Sequence, residues 1–246
     1  MYFKIFAASA LVGMSFTIAA GAMGDTQTSS VFDGVYIGAG ASVVNMFNET
    51  SIYNASSQGV IPINLGTLQF QAASGFSSVG ARINLGYSRT FNNVGYLGAE
   101  LGYRYAPVYG GSVIGNNGNT TSYVNGRAVN DIAAILRGGY LFAPGVLTYG
   151  LIGVSGTYFD YNFTDYVSVK HDFGKMQYGL TPGIGMEVSL SSAVTLDLRY
   201  TYSAYSQTSH KVQANPLLDA GGGNYDLFQT TPRVQAASLT VNYHFN

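Results

Sequence analysis

Two neighbouring stretches decide the fold: Val79-Gly-Ala-Arg-Ile-Asn-Leu-Gly-Tyr-Ser88 and Tyr96-Leu-Gly-Ala-Glu-Leu-Gly-Tyr-Arg-Tyr105. In the first, Val79, Ala81, Ile83, Leu85 and Tyr87 fall on one face, and Gly80, Arg82, Asn84, Gly86 and Ser88 on the other. In the second, Leu97, Ala99, Leu101, Tyr103 and Tyr105 alternate with Tyr96, Gly98, Glu100, Gly102 and Arg104. A period of two is that of a β-strand, whose successive side chains point to opposite faces. Roughly ten residues is also the length of a tilted strand that crosses a bilayer. One face is therefore built for an apolar surrounding, and the other for a small, polar interior.

The same alternation recurs along the chain. Val35, Ile37, Ala39, Ala41 and Val43 oppose Tyr36, Gly38, Gly40 and Ser42. Ile132, Ala134, Leu136 and Tyr140 oppose Asp131, Ala133, Ile135, Arg137 and Gly139. Tyr178, Leu180, Pro182, Ile184, Met186 and Val188 oppose Gly179, Thr181, Gly183, Gly185 and Glu187. Val194, Leu196, Leu198, Tyr200 and Tyr202 oppose Thr195, Asp197, Arg199, Thr201 and Ser203. Eight strands follow, at about 31–45, 77–89, 95–105, 127–140, 147–161, 176–190, 194–206 and 233–245. The stretch 147–161 keeps neither parity cleanly, because Leu151 and Ile152 are adjacent, and a bulge is expected there. Pro182 removes a ladder donor in mid-strand, so a local irregularity is expected there too. The connections alternate short (near 90–94, 141–146 and 190–194) with long (46–76, 106–125, 160–175 and 207–232), as in a membrane barrel with tight periplasmic turns and longer extracellular loops. On that pattern both termini are periplasmic.

Composition agrees. Only 9% of the 246 residues are charged, against roughly 25% in an average soluble domain. There are 20 Tyr, 14 Phe and 32 Gly, with no Trp and no Cys. Disulfides and thiolate metal sites are excluded, and a net charge of -1 gives no attraction for nucleic acid. A water-soluble barrel would turn its apolar face inward and its charges out. Here the charged face also holds most of the glycines and lacks large aliphatics, which suits a crowded interior. Backbone groups in lipid must all be paired, so a sheet that crosses must close. The fold class is thus all-β, a transmembrane antiparallel up-and-down β-barrel of eight strands. Tyr103, Tyr105, Tyr178, Tyr200 and Tyr202 would form its outer aromatic girdle, with Tyr87, Tyr140, Tyr243 and Phe245 the inner one.

Residues 1–22 read as a cleavable export signal, with 23–246 as the barrel domain. Lys4 supplies the positive end, Ile5 to Ile18 the apolar run, and Ala20-Gly21-Ala22 the small-residue cleavage pattern at Ala20 and Ala22. A membrane anchor is the rival reading, but the run is rich in Ala, Ser and Gly and no charged stop follows it.

The candidate chemistry lies on the inner face: Arg82, Glu100, Arg104, Asp131, Arg137, Glu187, Asp197 and Arg199. Four acids balance four arginines, and an eight-stranded interior is just wide enough for side chains to fill. Buried charges need partners, so a structural ionic plug is expected, with a gated narrow channel as the lesser reading. His171, His210 and His244 match no catalytic or metal spacing, so no catalytic residue, metal or cofactor is expected. Asn-x-Ser/Thr at Asn48, Asn54, Asn119 and Asn162 is read as loop composition. The first long connection is apolar for a loop, with Ile52, Tyr53, Val60, Ile61, Ile63, Leu65, Leu68 and Phe70. It either extends the wall, contacts a partner, or hides a hairpin that would make ten strands.

The closing face, Ala237, Leu239, Val241, Tyr243 and Phe245, ends in an aromatic. It resembles the C-terminal assembly signal of bacterial outer-membrane proteins, carried here by Leu239, Val241, Tyr243 and Phe245. In that family the Phe is usually last, whereas Asn246 follows it here. With Gly34-Val-Tyr-Ile-Gly-Ala-Gly40, Gly98-Ala-Glu-Leu-Gly-Tyr-Arg104, Gly183-Ile-Gly-Met-Glu187 and Tyr243-His-Phe245 in order, the chain resembles the eight-stranded family of the OmpA transmembrane domain, the opacity-type surface antigens and the Omp25/31 group. The resemblance implies outer-membrane lipid and the barrel-assembly machinery as partners, with host or other surface proteins reached through the loops. No chain is left after the last strand for a peptidoglycan-binding domain, so that role is not expected. The expected function is structural and interactive, as in an antigen or adhesin. The alternatives are a narrow transport barrel for ions or small apolar molecules and, behind it, a lipid-modifying enzyme.

Overall fold

The computed structural model describes residues 30–56, 59–61, 69–70, 77–92, 94–116, 121–164, 170–213 and 225–245. Eight strands run antiparallel in sequence order: β1 (Gly34–Ser56), β2 (Ser77–Phe91), β3 (Gly95–Asn116), β4 (Thr121–Ala143), β5 (Val146–Thr164), β6 (Lys170–Ser189), β7 (Val194–Tyr205, resuming at Thr208–Gln213) and β8 (Tyr225–Phe245). Each pairs with the next, and β8 returns to β1 from Val35↔Phe245 to Ala55↔Tyr225. The sheet closes and leaves no free edge through the wall. Two short pieces, Gly59–Ile61 and Gln69–Phe70, pair with the upper part of β1. They extend the wall beyond β2 rather than adding ninth and tenth strands.

Outward and inward faces follow the alternation. Ile37, Ile83, Leu101, Leu136, Leu180, Leu198 and Leu239 point out, while Tyr36, Arg82, Glu100, Arg137, Thr181, Arg199 and Thr240 are buried inside. At one end the turns are tight. Ala143 pairs with Val146 across Pro144 and Gly145, and Gly145 has φ +76°, the pattern of a type II turn with Pro first and Gly second.

The strands are longer than the alternation suggests. β3 and β4 meet as far as Asn116↔Thr121, and β5 and β6 as far as Thr164↔Lys170. Much of the expected long connections is therefore paired strand. About ten residues cross a bilayer, so strands of 22 and 23 residues rise well clear of it. Beyond the lipid both faces meet water or protein, and the apolar contrast that marks a strand is lost.

The bulge lies on a neighbouring strand. β5 keeps continuous register with β6 and one parity throughout: Leu147, Tyr149, Leu151, Ser155, Thr157, Phe159 and Tyr161 are buried inward. The register shifts fall across from it on β4, between Ala128 and Asp131 and between Leu141 and Ala143, and on β3 between Tyr105 and Val108, around Pro107. Pro182 interrupts the ladder to β7 without shifting it, since Leu180↔Ala204 and Gly183↔Thr201 are in the same register.

The interior is also more apolar than expected. Phe32, Tyr96, Ile135, Leu147, Tyr149 and Leu151 pack together at the tight-turn end. Val44, Met46, Val108, Phe159, Tyr161, Phe173, Tyr205 and Val234 pack towards the other. Large aliphatics thus do face inward, as two apolar floors above and below the charges.

Candidate functional site

All eight charged residues of the inner face are buried, and the structure joins six of them into one network. Glu100 on β3 is its centre. Its Oε1 accepts from Arg82 Nη2 at 2.8 Å and Arg199 Nη1 at 2.6 Å, and its Oε2 accepts from Arg199 Nη2 and Tyr36 Oη, both at 2.9 Å. Arg137 Nη1 lies 3.6 Å from Glu100 Oε2 and donates to Tyr36 Oη at 2.9 Å, and Arg137 Nη2 pairs with Glu187. Arg199 Nε donates to Asp197 at 2.8 Å, and Tyr149 Oη donates to the other oxygen of Asp197. Three arginines meet three carboxylates, so the network is neutral. Arg104 and Asp131 form a separate pair at 2.8 Å nearer the long end, where Thr157 Oγ1 donates to Asp131 at 2.9 Å.

Alternation places these side chains, and glycine makes room for them. A Cβ at Gly86 would sit 2.4 Å from Tyr36 Cζ, and one at Gly185 would sit 2.3 Å from Tyr149 Cζ. The two tyrosines lie across these bare backbone positions. Arg137 is thereby held 3.9 Å above the Tyr149 ring, with the Tyr96 and Tyr36 rings at 5.4 and 5.7 Å. Such stacking is worth most where the cation is desolvated.

The alternation in the sequence marks the charges but does not single out their neutral partners. Tyr36, Tyr149, Asn84, Thr195, Asn242 and His244 complete the site. Asn242 Nδ2 donates to Glu187 Oε1 at 2.8 Å, Asn84 Nδ2 donates to Asn242 Oδ1 at 3.1 Å, and His244 Nε2 lies 3.4 Å from Glu187 Oε1. All but Tyr149, whose strand shows no clean parity in the sequence, share the parity of the charged face, and that was the available signal. Below them Phe32 fills the tight-turn mouth edge-on to His244, with ring centres 6.5 Å apart. Its carbonyl accepts from Ser88 Oγ at 2.5 Å. Leu239, Val241, Tyr243 and Phe245 all point outward on β8. Ala20 and Ala22 lie outside the described residues, as do the side chains of His171 and His210.

A closed sheet with a lipid-suited outer face and a side-chain-filled interior is a membrane barrel, and the sequence matches the outer membrane protein beta-barrel domain over residues 8–245. The chain belongs to that family. Membership places this outer-membrane barrel in the bacterial outer membrane, with lipid around its wall. No curated protein matches it in sequence. Similar solved structures include Ail, the attachment invasion locus protein of Yersinia pestis (14% identity over 87% of this chain and 99% of that one, TM-score 0.43). OprG from Pseudomonas aeruginosa is another (14%, 90% and 100%, TM-score 0.46), and the outer membrane protease OmpT from Escherichia coli a third (9%, 90% and 99%, TM-score 0.45). At these identities and scores the likenesses carry no role over to this chain.

Proposed function

We propose that this barrel is a structural and interaction protein of the antigen or adhesin type, which neither conducts nor catalyses. The observation behind the reading is the filled bore. Arg137, Glu187, Asp197 and Arg199 are all at most 2% exposed, and apolar floors lie on both sides of them. Ions would have to break the buried ion pairs of Arg82, Arg137 and Arg199 to pass, and breaking a buried pair costs about 3–5 kcal/mol per partner lost. With the interior committed to holding shape, recognition is left to the long strand ends. We take these to be extracellular and the tight turns and both termini to be periplasmic, following the short-turn, long-loop rule of such barrels. Leu239, Val241, Tyr243 and Phe245 are proposed as the surface read by the assembly machinery, and residues 1–22 as a signal removed near Ala20–Ala22. Purified protein in planar bilayers tests the main reading. No discrete conductance is expected, and steady single-channel openings would move the assignment to a transport barrel. Unchanged lipid A in cells lacking the protein is expected too, and a lost lipid A modification would assign it to the lipid-modifying enzymes.

A further inference from the structure

Above the outward tyrosines Tyr105, Tyr158 and Tyr178, the outer wall turns polar across four strands. Register sets Tyr109 beside Arg127 and Arg127 beside Asp160, and one step higher Asn125 beside Asn162 and Asn162 beside Asp172. These side chains line a groove of about 570 Å³ whose floor is the bare backbone of Gly110 and Gly126, which face each other across β3 and β4. The groove is already ordered. The Arg127 guanidinium lies 5.1 Å over the Tyr109 ring, and Asn162 donates to Asp172. Among the described residues, no carboxylate closes an ion pair with Arg127.

We infer that this groove holds the sugar headgroup of a neighbouring outer-leaflet glycolipid. The inference rests on the orientation proposed above. Asp160 is two residues beyond Tyr158, so the groove begins roughly 7 Å further along the strand, counted at about 3.4 Å per residue, or about 5 Å above the tyrosine girdle for a strand tilted by about 40°. Girdle tyrosines mark the membrane–water interface, which puts the groove level with headgroups and continuous with the lipid-facing wall. Its chemistry selects among headgroups. One cation beside two carboxylates is a poor clamp for phosphate, which wants clustered Arg and Lys. Two amides, two carboxylates, a guanidinium and an aromatic ring instead supply the mixed donors and acceptors that hydroxyl-rich sugars need.

The test uses full-length protein in nanodiscs containing either lipopolysaccharide with core sugars or lipid A alone, read by native mass spectrometry. Wild type should retain the sugar-bearing form at least about tenfold better, and Arg127→Ala and Asp160→Asn should each remove about that factor, the size of one hydrogen bond to a charged group. Gel mobility of unheated samples checks that both variants are folded, and Asp160→Asn keeps the side-chain shape if Arg127→Ala does not fold. Equal retention of lipid A, or unchanged retention by both variants, overturns the inference. So does a benzophenone placed at position 125 that crosslinks to a second copy instead of glycolipid. An Asn116→Cys variant should label with impermeant maleimide on intact cells. If it labels only after lysis, the orientation is reversed and both readings fall. If it labels but no sugar preference exists, only this inference falls.

Discussion

Arg199 grips Glu100 with both terminal nitrogens, at 2.6 and 2.9 Å. The two residues stand on β7 and β3, four strands apart in a ring of eight, so the contact spans the barrel's diameter. Glu100 also accepts from Arg82 and Tyr36, which makes one carboxylate the tie between four strands. Glu100→Gln removes the charge that three arginines share while keeping the shape. It should lower stability by about 3–5 kcal/mol, the usual cost of stranding a buried charge. Urea unfolding of the refolded protein in liposomes measures this, and a loss below about 1 kcal/mol would mean that the pairs behave like exposed ones.

Leu198 and Arg199 are adjacent in sequence and opposite in surroundings, at 51% and 2% exposed. Leu198→Arg should cost about 2–4 kcal/mol if the site is near the bilayer midplane. Arg199→Leu should cost about 3–5 kcal/mol through Glu100 and Asp197 left short of a partner. The mechanisms differ, so bilayer thickness separates them. The Leu198→Arg penalty should shrink in thin short-chain lipid, and the Arg199→Leu penalty should not.

These faces were legible in the sequence because lipid outside and charge inside give opposite demands at every second residue. Where both neighbours are apolar, the contrast disappears. Leu151 and Ile152 gave no parity, since an apolar floor inside the barrel asks for the same residue type as the lipid outside. The strand ends beyond the lipid were hidden for a related reason, because a strand that rises clear of the bilayer has no apolar surrounding to alternate against. Partners such as Tyr36–Glu100 were out of reach altogether. Alternation tells which face a residue takes, but contacts across a bore depend on stagger between strands distant in sequence.

Gly138 and Gly139 offer a sharper test of the wall. A Cβ at Gly138 meets nothing within 4 Å, whereas one at Gly139 would lie 2.1 Å from the Thr148 carbonyl oxygen. Gly138→Ala should therefore be neutral or stabilise by up to about 1 kcal/mol, by restricting the unfolded chain. Gly139→Ala must push β4 from β5 and should cost about 1–3 kcal/mol, as for other overpacked positions. Equal effects in a urea titration would contradict the face assignment at this end.

Among the described residues, Phe32 is the one large side chain from outside the strands that is fully buried in the bore. It is fully buried against Leu147, Tyr149 and Tyr96, and the following Asp33 is anchored by accepting from the Thr90 amide at 2.6 Å. Phe32→Ala should leave a cavity and cost about 3–5 kcal/mol. The opening would face the tight-turn mouth, so hydrogen exchange should rise at Leu147–Tyr149 and stay unchanged near Phe159. A uniform rise would mean that Phe32 supports the whole barrel rather than closing one end.

The proposed recognition surface can be tested apart from the wall because the structure shows where pairing persists. β1 and β8 remain paired up to Ala55↔Tyr225, and β7 resumes on β8 through Gln213↔Tyr225. Cutting back to Phe47 would strip β8 of its partner over eight residue pairs, from Asn48↔Pro232 to Ala55↔Tyr225, and would damage folding along with recognition. Replacing only 57–76 and 214–224 with short turns leaves those ladders intact and removes, of the described pairings, only those of Gly59–Ile61 and Gln69–Phe70 with β1. Surface segments carried on a rigid scaffold tolerate change and bear recognition. The trimmed protein should thus insert, keep its heat-modifiable gel mobility and unfold within about 1 kcal/mol of wild type, since loop shortening changes closure entropy only slowly. Antibody and host-cell binding by expressing bacteria should fall to the level of a strain lacking the protein. Binding retained in full by a correctly folded trimmed barrel would place recognition on the paired wall instead, and a new conductance in the same protein would show that these segments, rather than the ionic network, close the bore.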